Sequence, residues 1–173
     1  MKNQTEAKVF KDKIIKIGVV SDTHIPISAS SLPKKLLEGL KGVNLIIHAG
    51  DIVTASCLRE IEEIAPVCAI YGNMDSLELR NTLPHKREIK VSHFKIGIVH
   101  GSGQPSDLPL RMRKEFNGAD IIIFGHSHLP FKQIINGVLM FNPGSPTDKV
   151  FTAINSYGIL ELNNKIKARH VKI

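Results

Sequence analysis

Residues 121–130 read IIIFGHSHLP. Three isoleucines and a phenylalanine have the β-branched and aromatic character of a buried strand, and the glycine after them marks a sharp turn. A turn is usually continued by Asn, Asp, Ser or Pro. Here two imidazoles, His126 and His128, stand one residue apart instead. In an extended segment alternate side chains share a face, so the pair is expected to project to one side.

The same arrangement recurs upstream. Short Ile- and Val-rich runs cover residues 14–20, 45–48, 67–71, 95–100 and 120–124, each with the composition of a strand buried on both faces. The first is followed by SDTH, giving Asp22 and His24; the second by HAGD, giving Asp51; the third by GNMD, giving Asn73 and Asp75. The fourth ends in VHG with His100, and the fifth in GHSH. Ligands of open α/β sheets bind beyond the carboxyl ends of the strands, so the five termini are expected to converge on one crevice. A lone DxH or GD is no more than a turn signal; five in order point to shared metal binding.

The segments between the runs read as helices. In SSLPKKLLEGLKG, Ser31 is a candidate cap, Pro33 suits the first turn, and Gly39 or Gly42 ends the helix. Thr54 caps TASCLREIEEIAP and Pro66 closes it; Asp107 opens DLPLRMRKEFNG and Gly118 closes it. Beyond residue 130 the pattern turns to short extended segments, with a hairpin signal at Asn136-Gly137. Strands alternating with helices and then strands alone predict a mixed sheet system flanked by helices, an α/β or α+β fold.

With 173 residues, the chain is expected to form one domain, residues 1–13 being a candidate disordered tail. The first residues lack a signal-peptide apolar core, and no apolar run approaches the roughly 18 residues of a membrane span, so a cytoplasmic location without a membrane partner is expected. Cys57 and Cys68 show no CxxC spacing and read as buried reduced thiols. The net charge of +7 raises a nucleic-acid partner, but many of the cations lie near the two ends, from Lys2 to Lys16 and from Lys165 to Lys172, without interleaved aromatics. No stable nucleic-acid complex is expected. His48, His85, His93 and His170 read as hydrogen-bonded rather than metal-bound.

The ordered set DTH, GD, GNMD, HG and GHSH resembles the motifs of the calcineurin-like metallophosphoesterase superfamily, and the small size with FNPGSP downstream is most similar to its YfcE-type phosphodiesterases. The resemblance implies a four-layer αββα sandwich, two packed mixed β-sheets flanked by helices. It implies Asp22, His24, Asp51 and His128 around one divalent ion and Asp51, Asn73, His100 and His126 around the other. A donor set of carboxylate and imidazole suits Mn²⁺, the ion favoured here, and also Ni²⁺, Zn²⁺, Fe²⁺ or Co²⁺. The implied reaction is attack of a metal-bridging hydroxide on a small or nucleotide phosphodiester, with Asn73 stabilising the developing charge. Asp75 is read as an acceptor that orients a histidine ring N–H. Family relatives also suggest a homodimer or homotetramer, and the retromer scaffold subunit, which resembles the same fold, supplies the alternative of a non-catalytic interaction module.

Two positions depart from the pattern. Met74 stands where many members carry a histidine that protonates the leaving oxygen, and a thioether has no proton to give. That points toward diesters, with Asn73, Met74 and Ser102 as substrate-facing residues. Ser102 follows His100-Gly101 where small relatives often place a further histidine, and residues 102–107 read as a substrate loop. Asn142, Gly144 and Ser145 of FNPGSP are expected to shape the crevice.

Overall fold

The computed structural model describes residues 14–173, so the expectation for residues 1–13 lies outside the described residues. The strands are β1 (Ile15–Val20), β2 (Leu45–Ala49), β3 (Val67–Ile70), β4 (Lys86–Val91), β5 (Phe94–Val99), β6 (Ile121–Ile123), β7 (Phe131–Ile135), β8 (Val138–Asn142), β9 (Ser156–Leu162) and β10 (Ile166–Lys172). The helices are α1 (Lys34–Gly39), α2 (Ala55–Glu62), α3 (Leu77–Thr82) and α4 (Leu108–Arg113). Among the described residues they build two five-stranded sheets, ordered β10-β9-β1-β2-β3 and β4-β5-β6-β8-β7. Both are mixed: β1, β2 and β3 run parallel, as do β5, β6 and β8, while β9 and β10 in one sheet and β4 and β7 in the other are antiparallel to their neighbours.

The period of two in the strands decides how the sheets pack. Ile17, Val19, Ile47 and Ile70 of the first sheet meet Ile96, Ile98, Ile121, Ile123 and Phe141 of the second in one buried layer. The alternate residues Val20 and Ile46 face outward, onto Leu36 of α1 and Leu58 and Ile61 of α2. On the far side Ile122, Phe124 and Met140 lie under Leu108 and Met112 of α4. The layers therefore run helix, sheet, sheet, helix, as the resemblance implied.

Local signals hold in part. Thr54 caps α2 by accepting from the Cys57 N–H, and Asn136 and Gly137 take φ values of 49° and 77° in the β7–β8 hairpin. Ser31 does not cap α1, because Pro33 holds the cap position and its carbonyl accepts from Leu36 and Leu37. Asp107 sits before α4 without a capping bond, its carboxylate being turned to Arg111 Nε at 3.0 Å. That helix stops at Arg113, well before Gly118. Cys57 and Cys68 are free and buried, and burial pushes the Cys57 thiol up to about 11. Among the described residues no helix is long and apolar enough to cross a membrane.

Candidate metal centre

Each motif begins where a strand of the buried layer runs out, and the chain turns hard there. Asp22, His24, Asp51, His126 and His128 have φ values of 54°, 44°, 58°, 69° and 59°, in the left-handed region that side chains with a Cβ seldom occupy. Each such residue costs on the order of 1–3 kcal/mol and persists where the surroundings over-determine it. The expectation that FGHSH stays extended is therefore corrected. β6 ends at Ile123, and both histidines leave it in left-handed turns, so strand alternation does not set their direction.

The turns fix one another. Asp22 accepts the His126 N–H with its two oxygens at 3.2 and 3.1 Å, and Asp51 Oδ1 accepts the Met74 N–H at 2.7 Å. Asp22 N–H donates to Gly50 O at 3.0 Å and His24 N–H to Asp51 O at 3.1 Å. Gly72 lets this close approach happen: a Cβ there would collide with the Asp51 carboxylate.

The donor atoms converge. Those of Asp22, His24 and His128 lie within 4.8 Å of one another, and so do those of Asp22, Asp51 and His100. Asp51 Oδ2 stands 3.4 Å from His24 Nε2 and 3.2 Å from His100 Nε2; Asp22 Oδ1 stands 3.4 Å from His128 Nε2. His24 and His128 face each other through their Nε2 atoms at 3.2 Å. Asn73 and His126 join at the open rim, His126 Nδ1 lying 3.2 Å from Asn73 Oδ1 and its Nε2 3.0 Å from Gly103 O. His24, Asp51, Asn73, His126 and His128 thus line one crevice, with Asp22 and His100 packed against Asp51, His24 and His128 behind it.

Two of the imidazoles have their tautomers set from behind. His100 Nδ1 donates to Ala49 O at 2.7 Å, and His128 Nδ1 donates to Asp148 Oδ2 at 2.8 Å. Their Nε2 atoms are then left pointing inward, beside two carboxylates. His100 Nε2 is buried without a hydrogen-bond partner among the described residues. Converging ring nitrogens, buried carboxylates and an orphaned His100 Nε2 fit a cation, which would take the place of protons on these rings.

The electrostatics set buried carboxylates against imidazoles. Burial opposes the ionised forms of Asp22 and Asp51, but surrounding histidines hold both carboxyls below the usual range. Burial also works against a charged His100, yet Asp51 and Asp22 raise it to about 9.

Asp75 is corrected. Its buried carboxylate accepts the N–H groups of Asp51 at 3.0 Å, Gly72 at 2.7 Å and Val53, and it orients no histidine. The imidazole-orienting carboxylate is Asp148, which the sequence reading missed because an acid in SPTDK looks like a turn residue. Its signal is the burial of its neighbours: Ser145 Oγ and Thr147 Oγ1 donate to Asp22 O and Thr23 O, each at 2.7 Å. Asn142 Nδ2 donates to Gly125 O at 2.8 Å, so FNPGSP does shape the crevice. Met74 lines the crevice. Ser102 instead offers its carbonyl to Arg111 Nη1 at 2.5 Å, and its side chain is not part of the wall. Arg80 holds the third turn by donating to Asp75 O at 2.9 Å and to Asn73 O. His48 bonds to Thr23, between Asp22 and His24, and His170 to Asn142 O; neither belongs to the two converging donor groups.

The model of the calcineurin-like phosphoesterase superfamily domain matches residues 15–165. The chain belongs to that superfamily. A probable metallophosphoesterase of Methanothermobacter thermautotrophicus is 41% identical over 133 residues, 76% of this chain and 77% of that protein. A phosphodiesterase of Methanocaldococcus jannaschii is 29% identical over 167 residues, 87% of this chain and 95% of that one. The solved structure of vacuolar protein sorting 29 from Cryptosporidium parvum shares the superfamily fold at a TM-score of 0.75 and 23% identity, covering 94% of this chain and 99% of that one.

Proposed function

We propose that this superfamily member is a divalent-metal-dependent phosphodiesterase acting on small or nucleotide phosphodiesters. The observation that carries the reading is the convergence of His24, His100 and His128 ring nitrogens on the buried carboxylates of Asp22 and Asp51. Asp22, His24, Asp51 and His128 would hold one ion and Asp51, Asn73, His100 and His126 a second, with Asp51 shared. Nitrogen and oxygen donors without thiolate suit Mn²⁺ and the neighbouring borderline ions. Bound there, such ions supply Lewis acidity toward phosphoryl oxygens and acidify water near neutral pH.

The chain's own groups do the rest. Asn73 turns Oδ1 toward His126, leaving its Nδ2 hydrogens for a phosphoryl oxygen at the rim, where developing charge is best met by a fixed donor. Met74, 46% exposed beside Asn73, gives the leaving oxygen no proton. That penalises alkyl monoesters, which depart as strong bases, more than diesters with a stable leaving group. Among the described residues no lysine or arginine lines the crevice, which also suits a diester monoanion better than a monoester dianion. A cytoplasmic setting accords with two buried reduced thiols.

The test is to strip the protein with chelator, return Mn²⁺, Ni²⁺ or Zn²⁺, and follow a nitrophenyl diester beside the monoester. Turnover is expected to return with the ion and to favour the diester. Asp51→Asn is expected to abolish it with the circular dichroism unchanged. Failure of every ion to restore turnover would turn the reading toward an interaction scaffold.

A further inference from the structure

Ile27, Met74, Val150 and Phe151 line the crevice, and they are 62%, 46%, 80% and 71% exposed. Apolar area left in water forgoes roughly 25 cal/mol per Å², so four such side chains around one opening ask for an occupant. The cavity they enclose is about 430 Å³, within the range of roughly 300–1,000 Å³ that takes a small ligand. Of its polar groups, His24, Asp51, Asn73, His126 and His128 belong to the metal cluster. Among the described residues no lysine or arginine stands on these walls to meet a second phosphate or a free carboxylate.

We propose that the site selects phosphodiesters carrying an aromatic ester arm, and that Phe151, with Val150, Ile27 and Met74, holds that arm beside the phosphoryl group. The proposal rests on the phosphodiesterase reading and adds the identity of the arm. Phe151 is placed for the task. Its N–H donates to the Asp148 oxygens at 3.2 and 3.1 Å, and the Val150 N–H donates to Oδ1 at 2.8 Å. The same carboxylate receives His128 Nδ1–H, and the Phe151 ring stands edge-on to the His128 ring at 5.6 Å between centroids. The apolar wall therefore hangs from the group that orients a candidate ligand, which sets its distance from the phosphorus. Asn155 Nδ2 braces the loop on Asp148 O at 2.6 Å. An aromatic arm gains from such a ring by stacking as well as by leaving water.

Two esters with the same leaving group, bis(4-nitrophenyl) phosphate and methyl 4-nitrophenyl phosphate, test the arm. Their difference in intrinsic reactivity cancels when metal-loaded wild type is compared with Phe151→Ala. The aryl-over-methyl preference in kcat/KM is expected to fall about tenfold in the variant, mainly through KM. An unchanged preference overturns the proposal, as does an equal loss on both esters, which would make Phe151 a support for His128 alone. Calorimetric titration with diphenyl and dimethyl phosphate separates this result from the catalytic reading. If no ion restores turnover, the phosphodiesterase reading fails by itself. Selective binding of diphenyl phosphate that Phe151→Ala removes would then still support the aromatic wall, and equal or absent binding of the two would sink it. Sedimentation covers the remaining occupant: a wild-type dimer that Phe151→Ala dissociates, with the ester preference unmoved, makes the patch an interface between copies and overturns the proposal.

Discussion

An imidazole offers a lone pair to a cation only on the nitrogen that has lost its hydrogen, and for His100 and His128 that choice is made by Ala49 O and Asp148. Asp148 is itself held as an anion: burial opposes its charge, but the Val150 N–H, the His128 ring and the Phe151 N–H keep the carboxyl below its ordinary value. Asp148→Asn weakens that hold and lets the His128 ring change tautomer. Metal affinity is expected to fall about 10–100-fold, read by competition with a chromophoric chelator, while the circular dichroism stays the same. Undiminished affinity would mean that the Asp22 side of the cluster sets the tautomer instead. Met74→His puts a donor beside the leaving oxygen, so hydrolysis of the monoester should rise relative to the diester; a constant ratio counts against the missing-acid argument. The seven candidate ligands were legible because each carries its chemistry in its own residue type, at the end of an apolar run. Asp148 and the partners of Asp75 were not, since a carboxylate that serves a distant ring or a set of backbone N–H groups carries no mark of it in sequence.

Turns between elements, rather than the elements themselves, carry the constraint on the site. Gly72 shows how tight it is, since even a methyl group there meets the Asp51 carboxylate, the Asp51 N–H and the His100 ring. Gly72→Ala is expected to displace Asp51 and cost most of the metal affinity, with a smaller loss of thermal stability; a variant that binds ions like wild type would show that the turn yields. The elements that sequence reading missed are those with little to bury. β4 has only Val91 buried, and its KREIK run is the charged edge of a sheet. α3 buries only Leu79 and is started by Ser76, whose hydroxyl accepts from the Leu79 N–H. The buried runs of β1, β2, β3, β5 and β6 were read correctly because they contact other layers on both faces. What they could not tell is that β1, β2 and β3 belong to one sheet and β5 and β6 to another. Parallel strands paired through crossovers look alike wherever the crossover leads.

The helix-facing side of the first sheet buries a polar group among its apolar residues. His48 is fully buried in β2, with Nε2 3.2 Å from Thr23 Oγ1 and no partner for Nδ1 among the described residues. Burial depresses it to about 3. Since the unfolded chain takes up the proton near pH 6.5 and the folded chain does not, the neutral ring contributes stability above about pH 6.5 that is lost as pH falls toward 3. Relative to His48→Phe, the metal-free wild type should lose about 2 kcal/mol of unfolding free energy between pH 7 and pH 5, measured by denaturant titration. Parallel pH curves for the two proteins would show that the ring is protonated in place.

The first sheet also has an order of assembly written into it. β1, the first described strand to be made, lies between β2 and β9, and β9 begins only at Ser156. Ser145 and Thr147, which clamp the carbonyls of Asp22 and Thr23, come from the loop just before it. A chain emerging from the ribosome therefore holds six of its seven candidate ligands by His126 and the last at His128, before the clamp and Asp148 exist. Completion of the centre waits for Ser145, Thr147 and Asp148, and a nascent chain that meets an ion before them has neither the fixed ring nor the fixed turn with which to keep it.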